Sequence, residues 1–128
     1  MKRSEFETIV GQEFEKIPEK FRLRIKNVAL LVEDEPDQET RTENGLQLGE
    51  TLLGLYRGIA HIHRGSAYGV GETLPDTITV YQRPIEVEAA ESGLPIRQVV
   101  FDTLWHEIAH YFGYEEDAVQ RREEERRN

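Results

Sequence analysis

Two histidines and a glutamate near the carboxyl end of the chain have the residue types and the spacing that a zinc site can use. His106, Glu107 and His110 form the pattern His-Glu-x-x-His, and Gly113 follows it. On a helix that turns by about 100° per residue, His110 lies about 40° from His106, so both imidazoles lie on one side. Such a pair can bind one zinc ion at about 2.0 to 2.1 Å, with Glu107 directed past the ion toward a bound water.

A third ligand is predicted from the turn after this pattern. Gly113 suits the left-handed conformation that commonly ends a helix, which would let the chain reverse and return Glu116 to the same ion. Two His and one carboxylate leave the fourth tetrahedral position to water, whose pKa zinc lowers to about 7. Glu107 would take a proton from this water as it attacks a carbonyl and would pass a proton to the leaving amine. The sequence therefore predicts a peptide-bond hydrolase with one zinc ion held by His106, His110 and Glu116.

A helix predicted from about Pro95 to Phe112 must position these residues. Its apolar side chains lie about 200° to 260° from His106, so they are expected to face the core while the imidazoles face outward. The residues on this apolar side are Phe101, Trp105, Ile108 and Phe112. The alternative is that the histidines and the glutamate merely occur on a core helix.

The rest of the chain alternates between helical and strand patterns. Apolar residues at spacings of three and four predict a helix over about Ser4 to Ile17, and Pro18 is expected to open a short second helix. Strands are predicted at 28–32, 52–63 and 77–81, and a helix at 84–90 that stops near Gly93. The acidic stretch Glu33 to Asn44 and the glycine-rich stretch 65–76 are predicted loops.

Length and composition exclude several classes of protein and of partner. The 128 residues suit one domain. The net charge of -9, from 25 acidic and 16 basic residues, argues against nucleic acid and anionic membranes as partners. No apolar run approaches the roughly 20 residues of a membrane helix, and we expect no cleavable export signal, because the first residues turn acidic without an apolar stretch. With no Cys, only His, Asp and Glu remain as metal ligands. We expect a cytoplasmic protein whose partner is a peptide or protein substrate; its oligomeric state is left open.

The sequence resembles the small bacterial zincin-like metallopeptidases, or minimal zincins. The resemblance is carried by HEIAHYFGYEED at 106–117, and it is reinforced by IPEKFRLRIKNVALLVEDEP at 17–36 and ITVYQRPI at 78–85. It implies an α+β fold, a compact zincin-like single domain over residues 1–128 in which a small mixed β-sheet packs on the active-site helix. It also implies that zinc is held by His106, His110 and the acidic residue at 116.

The family commonly has Asp at the third ligand position, where this chain has Glu116 between Glu115 and Asp117. The third ligand is therefore one of these three carboxylates. Metzincins place a His at that position and a Met turn after it. Because the only Met of this chain is Met1, the metzincin subclass is excluded.

Several other features allow two interpretations. His61 and His63 share one face of a predicted strand, so they are either further metal ligands or ordinary polar positions. The strand Thr77 to Tyr81 is either an exposed edge that aligns a peptide or an ordinary sheet strand. The loop Gly65 to Gly71 is a mobile lid or a simple connector. Tyr111 and Tyr114 are either oxyanion donors or packing residues.

Two rival functions follow from the same residues. One is a regulatory or partner-binding protein with narrow or absent proteolytic activity, because a chain of this length has little material for broad substrate recognition. The other is a zinc domain whose metal serves stability alone. A fourth protein ligand would favour that structural role, whereas an open fourth position would favour catalysis.

Overall fold

The computed structural model describes residues 1–23, 25, 28–58 and 76–112. These residues form five helices and three strands. The helices are α1 (Arg3–Glu15), α2 (Glu19–Arg22), α3 (Gln38–Glu43), α4 (Gln82–Ser92) and α5 (Ile96–Tyr111). The strands are β1 (Val28–Glu33), β2 (Gly54–Arg57) and β3 (Asp76–Tyr81). The predicted α+β class with a small mixed sheet is confirmed.

The three strands form one sheet in the order β1-β3-β2. β1 runs parallel to β3, with Leu30 opposite Ile78, whereas β2 runs antiparallel to β3, with Tyr56 opposite the same isoleucine. The central strand is therefore β3. The idea that Thr77 to Tyr81 is an exposed edge is wrong, because main-chain partners flank it on both sides. The edge strands of this sheet, within the part of the chain that the structure describes, are β1 and β2.

The core lies between one face of the sheet and helices α1 and α5, which contact each other. Ile78 and Val80 alternate along β3 toward these helices and are fully buried, as the two-residue period of a strand requires. Helix α5 contacts both β2 and β3. It buries Val100, Leu104 and Ile108 at spacings of four, each about 1% exposed or less. Burying such a side chain contributes about 1.5 to 3 kcal/mol, so the apolar side of α5 holds the helix in place.

A buried carboxylate on α1 also attaches this helix to the beginning of α5. The Glu13 side chain is 3% exposed and lies 2.7 Å from Lys16 Nζ and 3.2 Å from Arg97 Nη1. Because a buried carboxylate is costly without partners, these two cations stabilise its position. The contact sets the start of α5 against α1.

The segment before α5 limits where that helix begins. Helix α4 follows β3 directly and ends at Gly93, whose φ of 77° is left-handed. Glycine adopts this conformation without the steric cost that a side chain brings. Pro95 then caps α5, which starts at Ile96 and ends at Tyr111, with Phe112 as its C-cap. The predicted bounds of this helix, and the predicted helix end near Gly93, are confirmed.

The prediction of a loop throughout Glu33 to Asn44 is wrong, because α3 lies within that stretch. Asp37 is its N-cap, and the Asp37 side chain accepts a hydrogen bond of 2.8 Å from the Thr40 backbone N–H. This hydrogen bond holds the pKa of Asp37 below its ordinary value. The acidic composition and Pro36 favoured a solvated loop, but an Asp cap satisfies an otherwise unpaired N–H and stabilises a short helix.

None of the helices in the described ranges has the length and apolar content to cross a membrane.

Candidate metal centre

The two histidines and the glutamate of the motif lie together on the last turns of α5. The nitrogen atoms of His106 and His110 and a carboxylate oxygen of Glu107 all lie within 4.8 Å of one another. The two imidazole rings have centroids 4.7 Å apart. This clustering is a property of the helix, because residues four apart are neighbours on its surface.

The three side chains differ in their exposure. Glu107 is 6% exposed, whereas the His110 side chain is 43% exposed and His106 is intermediate. The helix packs Leu104 and Ile108 into the core, so Glu107 lies at the boundary between this core and the outward imidazoles. The site thus has a buried carboxylate at its base and an imidazole at the protein surface.

Strand β2 holds the Glu107 carboxylate through a main-chain hydrogen bond. The Tyr56 backbone N–H donates to Glu107 Oε1 over 3.0 Å, and His110 Nδ1 lies 3.6 Å from the same oxygen. The first distance is a hydrogen bond, and the second is longer than one. A carboxylate at this depth requires such a donor, because an unsatisfied buried charge is costly.

A groove of about 280 Å³ runs between β2 and α5 beside this carboxylate. Its lining residues are Leu53, Gly54, Asp102, Thr103, His106 and Glu107. The motif side chains therefore line a concave surface and not only a helix exterior. Concave sites of this kind are where ligands are usually bound.

A larger hollow of about 820 Å³ lies at the ends of β1 and β3 and lacks the motif residues. Its charged groups include Arg3 and Asp34, which form an ion pair with each other. Arg3 also donates to Gln82 Oε1 and to the Val32 carbonyl. These contacts connect α1 to the sheet, so we assign the hollow no chemistry.

The residues present fit a zinc ion. Two nitrogens bound to one tetrahedral zinc at 2.0 to 2.1 Å are about 3.4 Å apart. The donor atoms of this cluster lie within 4.8 Å of one another, which is close to the separation that one zinc ion needs. Imidazole and carboxylate are also the donor types that zinc accepts in a protein without thiolates.

Tyr56 has contacts on its side chain as well as its backbone. Its hydroxyl donates to Asp76 Oδ2 over 2.6 Å, and its ring packs edge-on against Tyr111 with centroids 5.8 Å apart. The Tyr111 ring also contacts Phe112 at 5.0 Å. Of the two roles considered for Tyr111, packing is the one for which the structure provides contacts.

Some predicted site residues lie outside the described residues. They are Gly113, Tyr114, the three acidic candidates Glu115, Glu116 and Asp117, the pair His61 and His63, and the loop Gly65 to Gly71. The third ligand and the lid therefore stay predictions.

Sequence reasoning missed three features of the groove. Asp102 lies one turn before His106 and accepts a hydrogen bond of 2.9 Å from Gln98 Nε2. Its spacing of four from the histidine was a usable signal. Gly54 and the backbone N–H of Tyr56 lack such a signal, because they reach the site only through the packing of β2 on α5.

Comparisons with known proteins agree with this architecture. The model of a family described as zincin-like metallopeptidase matches residues 25–126. Among solved structures, a conserved hypothetical protein from Thermus thermophilus aligns with a TM-score of 0.59 and 25% identity, over 88% of this chain and 94% of that chain. A search of curated proteins found no match.

Proposed function

This chain belongs to the zincin-like metallopeptidase family, and we propose that it is a zinc-dependent peptide-bond hydrolase. His106, His110 and Glu116 hold one zinc ion, and Glu107 is the general base. The observation that carries the proposal is the convergence of His106, Glu107 and His110 beside a groove, with only the glutamate buried. Family membership supports the fold and the metal.

Zinc, when bound, would act as a Lewis acid that lowers the pKa of a bound water to near neutrality and polarises the substrate carbonyl. Glu107 accepts the proton of the attacking water and then transfers it to the nitrogen of the leaving amine. The new bond joins the water oxygen to the carbonyl carbon, and the bond that breaks joins this carbon to the amide nitrogen. General-base catalysis of this kind contributes about 10²- to 10⁴-fold to the rate.

The contacts of Glu107 support its role as base and not as ligand. Its Oε1 accepts the Tyr56 N–H at 3.0 Å, so the carboxylate is oriented by strand β2. The imidazoles are more exposed, as ligands at the mouth of a groove should be. This division is what we expect if α5 provides two nitrogen ligands and a base, and we propose that the third ligand comes from the acidic residues 115–117.

The test of the base is Glu107→Gln. The glutamine retains an oxygen that can accept the Tyr56 N–H, so we expect an unchanged fold and unchanged zinc content. Peptide hydrolysis should fall by at least about 10²-fold, measured with casein and an internally quenched peptide library. Hydrolysis at the wild-type rate would remove Glu107 from the mechanism.

The ligands are tested by zinc content. His106→Ala and Glu116→Ala should each lose the metal, measured by elemental analysis after dialysis. Glu115→Ala and Asp117→Ala are the matched controls and should retain it. If one of these controls loses zinc and Glu116→Ala retains it, the third ligand is the neighbouring carboxylate.

The substrate class and the place of action follow from the same proposal. We propose a peptide or protein as substrate and the cytoplasm as the compartment; the absence of Cys from the sequence is compatible with a reducing compartment, where disulfides are rare. A wild-type protein that binds zinc in an open site yet cleaves neither casein nor any peptide of the library would instead be a partner-binding module. A fourth protein ligand on the zinc would indicate a structural ion.

A further inference from the structure

Glycine at position 54 is required by space and not by backbone conformation. A Cβ at this position would lie 2.7 Å from Thr103 Cγ2, 3.2 Å from the Thr79 carbonyl oxygen and 3.4 Å from Glu107 Cγ. Gly54 is not among the positive-φ glycines of the described residues. The strand and the motif helix therefore touch here at a distance that admits no side chain.

The register of β2 directs the Tyr56 N–H away from β3 and toward Glu107, the proposed base. The Tyr81 N–H donates to the Leu53 carbonyl, so these two residues form a hydrogen-bonded pair of the β2–β3 ladder. In an antiparallel ladder such pairs alternate with pairs whose main-chain groups point away from the partner strand. Gly54 and Tyr56, opposite Val80 and Ile78, belong to the second kind. The Tyr56 N–H thus points toward α5, where Glu107 Oε1 accepts it.

Tyr56 is also held by its side chain. The Asp76 carboxylate, on a residue that is 7% exposed, accepts the Tyr56 hydroxyl, and the Tyr111 ring packs on the phenol ring. The first contact holds Tyr56 against β3 and the second holds it against α5, while the absence of a side chain at Gly54 permits the close approach of the strand to the helix. The direction and the distance of the Tyr56 N–H are consequently both determined.

We propose that Gly54 and Tyr56 are positioning residues for the general base. The missing side chain at 54 brings β2 close enough for the Tyr56 N–H to orient the Glu107 carboxylate toward the attacking water. The inference rests on the proposed hydrolase function. A displacement of about 1 Å in a catalytic group can lower the rate by about 10²-fold. A methyl group added at position 54 would displace β2 from α5, so we expect it to lower the rate of hydrolysis.

The test is Gly54→Ala, with Gly11→Ala as the matched control. An added Cβ at Gly11, on α1, meets nothing within 4 Å. We expect Gly54→Ala to retain zinc and to lose about 10- to 100-fold in kcat with a smaller change in KM. The Tyr56 amide proton should exchange faster with solvent in the zinc-free protein, measured by ¹⁵N-edited NMR. Gly11→Ala should match the wild type in zinc content, kcat and KM, and its Tyr56 amide should exchange no faster than that of the wild type.

A second substitution tests whether the space at Thr103 is the cause. Thr103→Ser removes Cγ2, the atom nearest to the added methyl group, and retains a hydroxyl for the hydrogen bond to the Val99 carbonyl. The double variant Gly54→Ala/Thr103→Ser should recover part of the kcat and of the Tyr56 amide protection, relative to Thr103→Ser alone. The contact of 3.2 Å with the Thr79 carbonyl remains, so full recovery is not expected.

The amide measurement separates this inference from the proposed function. Glu107→Gln should protect the Tyr56 amide as the wild type does, whereas Glu107→Ala should lose protection, and neither result depends on hydrolysis. If Gly54→Ala does not fold, Gly54→Ala/Thr103→Ser tests the part of the proposal that concerns Gly54, and this comparison tests the part that concerns Tyr56. Equal protection in wild type and Glu107→Ala, or an unchanged kcat in a folded Gly54→Ala, would overturn it. If the wild type hydrolyses no peptide, the hydrolase proposal fails, and the exchange rates alone decide whether β2 orients this carboxylate.

Discussion

Two residues of α5, one on each side of the helix, should respond in opposite ways to mutation and to zinc. Ile108 is 1% exposed and lies in the core, whereas the His110 side chain is 43% exposed and belongs to the metal cluster. We predict that Ile108→Ala destabilises the protein but retains zinc binding. We predict that His110→Ala retains the stability of the zinc-free protein but loses the stabilisation by zinc.

The magnitudes follow from burial. Replacing a buried isoleucine by alanine costs about 2 to 5 kcal/mol, because apolar contacts are lost and a cavity remains. With an unfolding entropy of about 2.1 cal/mol/K per residue, a chain of 128 residues loses about 7 to 19 °C in Tm. A change at the exposed His110 should stay within about 0.5 kcal/mol, or about 2 °C.

The stabilisation of the folded protein by zinc is the second quantity to be measured. An ion that binds only the folded state stabilises it by about 2.7 kcal/mol at 100 times its Kd, which is about 10 °C for this chain. The wild type and Ile108→Ala should show the same rise in Tm on zinc binding, provided that each is measured at about 100 times its own Kd for zinc. The Tm of His110→Ala should not rise at the zinc concentration used for the wild type.

The assay is thermal unfolding with and without zinc, with a chelator as control. Trp105, the only Trp of the chain, is 9% exposed and packs edge-on against Phe21 at 5.1 Å, so its fluorescence reports loss of the core. Circular dichroism provides a second probe that zinc does not quench. If His110→Ala lowers the zinc-free Tm as much as Ile108→Ala does, the division of α5 into a core side and a metal side is wrong. Equal zinc stabilisation of His110→Ala and wild type would remove His110 from the site.

Two further predictions concern the elements around the site. Asp37→Ala should lower the free energy of unfolding near pH 6, and this deficit should shrink as the pH falls below the ordinary carboxyl pKa of 3.8. The sign follows because a pKa that folding lowers adds stability above the unfolded pKa, and this stability is lost as the pH falls through the folded pKa; urea unfolding at about pH 6 and about pH 3 measures it. Gly93→Ala should cost about 1 to 2 kcal/mol through its left-handed φ of 77°, whereas Gly11→Ala within α1 should stabilise by about 0.5 to 1 kcal/mol. Equal Tm values for the two alanine variants would contradict this reasoning.

Local periodicity explains what could be predicted of the fold. The strands β1 and β3 and the helices α1, α4 and α5 appear where apolar spacing and Gly or Pro signals indicated them. Helix α3 was missed because its six residues depend on one capping hydrogen bond from Thr40 to Asp37. The central place of β3 was missed because strand order depends on contacts between distant segments.

The sequence by itself determined which side chains meet at the candidate site, since His106, Glu107 and His110 are neighbours on any α-helix that contains them. It also determined the opposite, apolar side of that helix. Only the tertiary structure decided that the glutamate is buried and that a main-chain N–H from β2 holds its carboxylate. Tyr56 and Glu107 are 51 residues apart, and the contact exists because Gly54 has no side chain to separate the strand from Thr103. A backbone amide has no residue type that a pattern can reveal, so its partner is known only when the two segments are packed together.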